Sequence, residues 1–219
     1  MKPRTALGAA ARAREVDARL EQRFGGTATS LCALRHRSAF ELLVATVLSA
    51  QCTDQRVNEV TPVLFARFPT PAAIAGAPTD ELESIIHSTG FFRSKAAHLQ
   101  GLSADIIERF DGEVPRDMAS LTSLPGVGRK TANVVRSVAF GEPGLPVDTH
   151  VMRLSHRLDL TRASDPVMIE RALCKLLAPD RWGGFSLRMI LHGRSTCSAR
   201  RPACDSCMLV DLCPRRGVR

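Results

Sequence analysis

No stretch of about eighteen apolar residues occurs in this chain, so a membrane-spanning helix has nothing to form from. No secretory signal stands at the N-terminus either. No segment alternates apolar and polar residues as a half-buried strand would, and there is no internal repeat. Acidic residues are in short supply. Thirty Lys and Arg face 22 Asp and Glu, for a formal net charge of +8. A polyanionic partner such as nucleic acid explains that excess, and so does a solvated basic surface. Seven cysteines are an odd number and suit a closed disulfide framework poorly. The expectation is a soluble intracellular protein, cytoplasmic and with reduced thiols. With 44% hydrophobic residues, 219 residues can fold as one large domain or two small ones.

What is present is helical throughout, and the predicted class is all-α. Val16, Leu20 and Phe24 repeat every four residues before Gly25-Gly26. Phe40 to Leu48 marks a buried helix. A further helix starts near Asp54, with Pro62 expected to end or kink it. Thr70-Pro71 predicts a capped short helix, Thr79 a cap for the next, and Ser94 a cap for a longer helix reaching Phe110. Asp117 and Asp165 read as caps, and residues 141–146 as a linker. Phe185, Met189 and His192 share one helical face. Residues 1–14, rich in Ala and Arg, are expected to form a mobile basic tail.

The stretch that organises the chain is Leu124-Pro125-Gly126-Val127-Gly128-Arg129-Lys130-Thr131. Two glycines around one apolar residue make a tight turn, and a helix-like run follows. Backbone N–H groups of such a turn, with the positive end of the helix dipole, suit a phosphate. Lys130 falls in the first turn, where the dipole disfavours the ammonium form and favours a nucleophilic amine; a solvated surface lysine is the plain alternative. The first glycine is too close to the lysine for a nucleotide P-loop, and the dinucleotide fingerprint is incomplete.

Cys197, Cys204, Cys207 and Cys213 are spaced C-x6-C-x2-C-x5-C. Four thiolates so close in sequence can wrap one metal centre, zinc or iron–sulfur, by local loop closure. Two disulfides are the other option, which reducing surroundings disfavour. Cys32, Cys52 and Cys174 lie outside this group and read as small buried hydrophobes. Arg194, Arg200, Arg201, Arg215 and Arg216 flank it and can sit on phosphates or in solvent.

The hairpin with Lys130, Val147-Asp148-Thr149-His150, the cysteine spacing, Leu48-Ser-Ala-Gln51-Cys-Thr-Asp54 and Leu191-His-Gly-Arg194 together resemble the endonuclease III family, from about residue 15 to Cys213. The resemblance implies a two-lobed helix-hairpin-helix DNA glycosylase: a six-helix barrel over residues 33–143, and an iron–sulfur helical domain from residues 15–32 and 144–219. It implies a [4Fe-4S] cluster on the four cysteines. It implies damaged double-stranded DNA as partner, with oxidised pyrimidines such as thymine glycol as substrate, and no membrane. A monomer is the default. Lys130 would attack C1′ of the sugar, displace the base and form a Schiff base from which β-elimination cuts the strand. Asp148 would stabilise positive charge on the sugar and position Lys130, while also capping a helix.

Because the target base must leave the stack, something must fill the gap. By resemblance Gln51 occupies it, and Phe91 stands at the wedge position where relatives commonly carry leucine. Phe92 reads as core. Gly126, Val127, Gly128, Arg129 and Thr131 would line the DNA backbone. His150 can contact DNA, orient Asp148 or serve the fold alone. Two other readings compete. A monofunctional adenine–DNA glycosylase shares the hairpin, aspartate and cluster but lacks the hairpin lysine. A non-catalytic helix-hairpin-helix DNA-binding protein with structural zinc would bind DNA without releasing a base.

Overall fold

A computed structural model describes residues 7–218. Among the described residues every regular element is helical and there is no strand. Helix α1 (Ala9–Phe24) ends at Gly25, whose φ of 61° turns the chain out of the helix while its N–H still reaches Glu21. A single turn, α2 (Ala28–Leu31), follows. Ser38 caps α3 (Ala39–Leu48) by accepting from Glu41 N, and Thr53 caps α4 (Asp54–Arg67) by accepting from Arg56 N. Thr70 caps α5 (Pro71–Ala75), and α6 (Thr79–Ile86) runs into a 3-10 turn at His87–Thr89. Then come α7 (Phe92–Phe110), α8 (Met118–Ser123) capped by Asp117, and α9 (Arg129–Ala139). Residues 141–148 contain no regular element before α10 (Thr149–Arg157), capped by Asp148. Asp165 caps α11 (Pro166–Cys174), and α12 (Trp182–Ser195) precedes the cysteine loop. No helix among the described residues is long and apolar enough to cross a membrane.

Four local expectations give way to packing. Pro62 neither ends nor interrupts α4. A proline there forfeits one backbone hydrogen bond, while Val60, Thr61 and Leu64 are buried around it and hold the helix. Thr79 is inside α6 rather than its cap, with Pro78 at the cap position and the Thr79 hydroxyl 3.4 Å from Gln100 Oε1. Ser94 is likewise internal, because α7 begins two residues earlier at Phe92. Residues 9–14, expected within a mobile tail, belong to α1. Residues 1–6 lie outside the described residues, but α1 starts at Ala9 and Arg12 is buried, its Nη1 donating to Leu158 O at 3.0 Å and its Nη2 to Leu7 O at 2.8 Å.

The chain divides into two units, one from the chain up to Leu31 together with Gly141 onward, the other Cys32–Phe140. In the first, Val16 and Leu20 of α1 pack with Val151 and Leu154 of α10, Ile169 and Leu173 of α11, and Phe185 and Met189 of α12. A buried ion pair crosses this core: Arg188 Nη2 donates to Asp17 Oδ1 at 2.7 Å, both side chains nearly solvent-free. Arg181 donates to the other Asp17 oxygen at 2.8 Å and to Glu21, whose carboxyl it holds below the usual range.

In the second unit the glycine hairpin is seated on α7 by close approach. Gly126 has φ of 74°, and a Cβ there would lie 2.8 Å from His98 Cβ and Cγ. Pro125 covers Gly101, where a Cβ would come within 3.2 Å of the proline ring. Val127, buried, points inward and its N–H closes the turn on Leu124 O at 3.1 Å. The apolar residue between the glycines is thus the anchor of the hairpin, and the glycines are its exposed edge.

Asp17→Ala leaves the Arg188 guanidinium buried without its carboxylate and is expected to cost about 3 kcal/mol; a urea-unfolding stability within about 1 kcal/mol of wild type would contradict this. Gly126→Ala combines a left-handed φ with a clash on His98 and is expected to destabilise the protein by more than about 1 kcal/mol. Unchanged thermal melting would show that the hairpin does not depend on that close approach.

Candidate active site and cysteine centre

Lys130 is the second residue of α9 and is exposed. Gly128 holds the N-cap position in an extended conformation and supplies no side-chain cap hydrogen bond. The positive end of the α9 dipole is therefore not answered by a capping side chain, and an anion meets it favourably. Cys32 lies close enough to Lys130 for the lysine charge to act on its thiol, although burial dominates and raises that thiol. Asp54, at the start of α4, acts on the same thiol. The sequence reads Cys32 as a small hydrophobe; that the charges of Asp54 and Lys130 reach its thiol is a consequence of the tertiary fold.

Asp148 is half-buried and caps α10 with one oxygen. Its Oδ1 accepts from His150 N at 2.8 Å and Val151 N at 2.9 Å. Both cap bonds fall on Oδ1, so the cap leaves Oδ2 for other use. His150 is fixed from behind by Arg153, whose Nη2 lies 3.1 Å from His150 Nδ1. Arginine only donates, so Nδ1 accepts and the proton of the neutral ring is on Nε2. The same Arg153 nitrogen donates to Gly193 O and Cys197 O, each at 3.0 Å. Gly193 permits this stacking, since a Cβ there would lie 2.8 Å from His150 Nδ1. The His-Gly-Arg segment was visible in the sequence, but Arg153 was not.

Five described non-glycine residues occupy left-handed backbone that such residues seldom adopt, and exposed Gln51 and Phe91 are among them. Gln51 has φ of 53° just after α3, and Phe91 has φ of 50° just before α7. Phe91 is 68% exposed, a large apolar ring held in solvent. Phe92 is partly buried, with its ring centroid 4.5 Å from that of His87. The two neighbouring phenylalanines thus differ in exposure, Phe91 exposed and Phe92 half-buried.

Cys197, Cys204, Cys207 and Cys213 line one cavity of about 320 Å³, counted with the solvent at its mouth. None of the seven cysteines is in a disulfide. Donors already face the sulfurs: Arg157 Nη1 lies 3.2 Å from Cys197 Sγ, Leu209 N 3.4 Å from Cys207 Sγ and Arg215 N 3.4 Å from Cys213 Sγ. Such N–H groups favour thiolate over thiol, whereas burial raises the Cys207 and Cys213 thiols. Among the described residues no three His, Cys, Asp or Glu side chains are gathered tightly enough to hold a single metal ion. Four sulfurs around one wide cavity, three of them approached by N–H donors, fit a polynuclear group better than one ion.

Residues 44–179 match the model of the HhH-GPD superfamily of base excision DNA repair proteins. The endonuclease III of Synechocystis sp. is 56% identical over 184 residues, 84% of each chain. A solved non-covalent endonuclease III–DNA complex superposes with a TM-score of 0.89 at 45% identity, over 95% of this chain and 97% of that one. A trapped endonuclease III–DNA covalent intermediate superposes with the same TM-score of 0.89, at 46% identity. The chain belongs to the HhH-GPD superfamily of base excision DNA repair proteins and, within it, to the glycosylase/lyases of the endonuclease III family.

Proposed function

We propose that this protein removes oxidised pyrimidines of the thymine glycol type from duplex DNA and cuts the strand by β-elimination, with Lys130 as nucleophile and Asp148 as its carboxylate partner. The observation that carries the reading is a lysine in the first turn of an α-helix entered through a glycine hairpin, in a chain so similar to a relative trapped covalently on DNA. The anion-seeking end of α9, with Gly126, Val127, Gly128, Arg129 and Thr131 around it, grips the phosphate backbone. Gln51 fills the space of the extruded base and Phe91 wedges the stack, roles that their exposed left-handed positions suit. His150 presents its Nε2–H to a phosphate or sugar oxygen. The protein acts as a monomer.

The chemistry follows from those groups. The Lys130 amine attacks C1′ as the glycosidic C1′–N bond breaks, and the electron pair leaves with the base, which takes up a proton. Asp148 Oδ2 faces the positive charge growing on the sugar and accepts the proton lost by the amine. The sugar ring opens to an imine between Lys130 and C1′. That imine acidifies the C2′ proton, whose loss expels the 3′ phosphate. Water then hydrolyses the imine and frees the lysine. Asp148 can serve both as cap and as carboxylate because the cap occupies only Oδ1.

Cys197, Cys204, Cys207 and Cys213 would hold a [4Fe-4S] cluster, which when bound supplies a cross-link for the C-terminal loop and no group to the sugar chemistry. What supports it is the single cavity they share and the N–H donors aimed at the sulfurs of Cys197, Cys207 and Cys213.

Borohydride reduction during reaction with a duplex carrying one thymine glycol tests this directly. A covalent protein–DNA adduct is expected, and it is expected to vanish in Lys130→Gln. Base release by wild type without any adduct would reduce the protein to a monofunctional glycosylase and Lys130 to a DNA contact.

A further inference from the structure

Lys95 is the most deeply buried lysine-borne charge described, 4% exposed, and nothing in the reaction above uses it. Burying an ammonium is expensive unless its donors are satisfied. Here Nζ donates to Leu48 O and to Thr89 O, each at 2.8 Å. These two carbonyls are not neighbours in sequence. Leu48 is the last residue of α3, and Thr89 ends the 3-10 turn before α7. Both belong to element ends, where carbonyls lack an onward helical partner.

Each carbonyl stands at the root of a loop that carries a left-handed residue, Gln51 or Phe91. Gln51 follows Leu48 after Ser49 and Ala50, and Phe91 follows Thr89 after Gly90. Lys95 also holds the second loop from its other side, since its backbone N–H donates to Phe91 O at 3.0 Å. Thr89 is itself pinned, buried and with its hydroxyl donating to Ile86 O at 2.8 Å. A single ammonium thus ties the root of the Gln51 loop to the root of the Phe91 loop. Burial lowers the Lys95 pKa, so the two carbonyls sustain a charge the surroundings oppose.

We propose that Lys95 is a positioning residue that fixes the spacing between the Gln51 and Phe91 loops, so that both enter the duplex together when the target base is extruded. This rests on the insertion roles proposed above. Two side chains that must occupy one opened stack need a set separation, and each stands on strained backbone that its loop must hold. A short bridge from one rigid, buried cation meets that need, whereas two independent loops would pay the ordering cost separately on binding. The chemical step itself, at Lys130, lies outside what Lys95 touches.

The test uses the full chain in excess over a duplex carrying one thymine glycol beside a 2-aminopurine, whose fluorescence rises on unstacking. The comparison substrate is a single strand with a preformed abasic site, where no base has to be extruded. Lys95→Met keeps the side chain's length and removes both hydrogen bonds. It is expected to slow base release from the duplex by about tenfold or more and to abolish the fluorescence rise, with β-elimination on the single strand changed by less than about threefold. In a Gln51→Ala, Phe91→Ala background the same change should cost little more, because the residues act as one unit. Equal losses on both substrates, or a full additional loss in that background, would overturn the proposal and make Lys95 a structural residue. Should Lys95→Met fail to fold, Lys95→Arg keeps the charge but alters the spacing, and is judged by the same selective loss. A wild type that unstacks the duplex without releasing base would overturn the glycosylase reading, and the fluorescence of the variants would still decide on Lys95.

Discussion

One carboxylate oxygen accepting two backbone N–H groups sets the terms of the site. Asp148 Oδ1 takes His150 N and Val151 N, and α10 starts where it does because of that. The cap fixes the carboxylate's orientation without consuming it, so the second oxygen has a defined place and takes no part in the cap. His150 then follows in the first turn, held by Arg153, which in turn reaches the carbonyls of Gly193 and Cys197. The carboxylate, the imidazole and the first cysteine of the cysteine loop are therefore joined by a short run of hydrogen bonds. A loop ordered by a cluster would support the helix start that orients the carboxylate.

The other helix start works by the opposite device. At α9 the cap position is Gly128, which has no side chain to offer, and the dipole is left to an outside anion. The hairpin leading to it survives because glycine fits under His98 and because Val127 is buried. One helix N-terminus is satisfied internally and carries a carboxylate; the other has no capping side chain and carries an amine. Elementary helix electrostatics distinguishes the two before any chemistry is invoked.

Much of this was legible in the residues. The all-helical class and the capping by Thr70, Asp117, Asp148 and Asp165 follow from periodicity and cap chemistry. What was not legible lies in long-range packing. Ser94 has the right side chain for a cap, but the left-handed turn at Phe91 starts α7 earlier. Pro62 has the right chemistry for a break, but burial on both sides overrides one lost bond. Arg12 looked like tail and is bonded to carbonyls more than a hundred residues away, at Leu158 and Asp159. Lys95 carries no motif, and its meaning depends wholly on which two carbonyls the fold brings to it. Arg153 is silent for the same reason.

The division of labour between the two Asp148 oxygens is the central physical claim, and Asp148→Asn tests it most directly. Asparagine is as good a helix cap as aspartate but cannot face a positive sugar with a charged oxygen or accept the amine proton. With thymine glycol duplex and enzyme in excess, the substitution is expected to leave stability within about 0.5 kcal/mol of wild type and to slow base release by about a hundredfold or more. A variant that is equally stable and releases base at nearly the wild-type rate would contradict the account, because the uncapped oxygen would then have no part in the reaction.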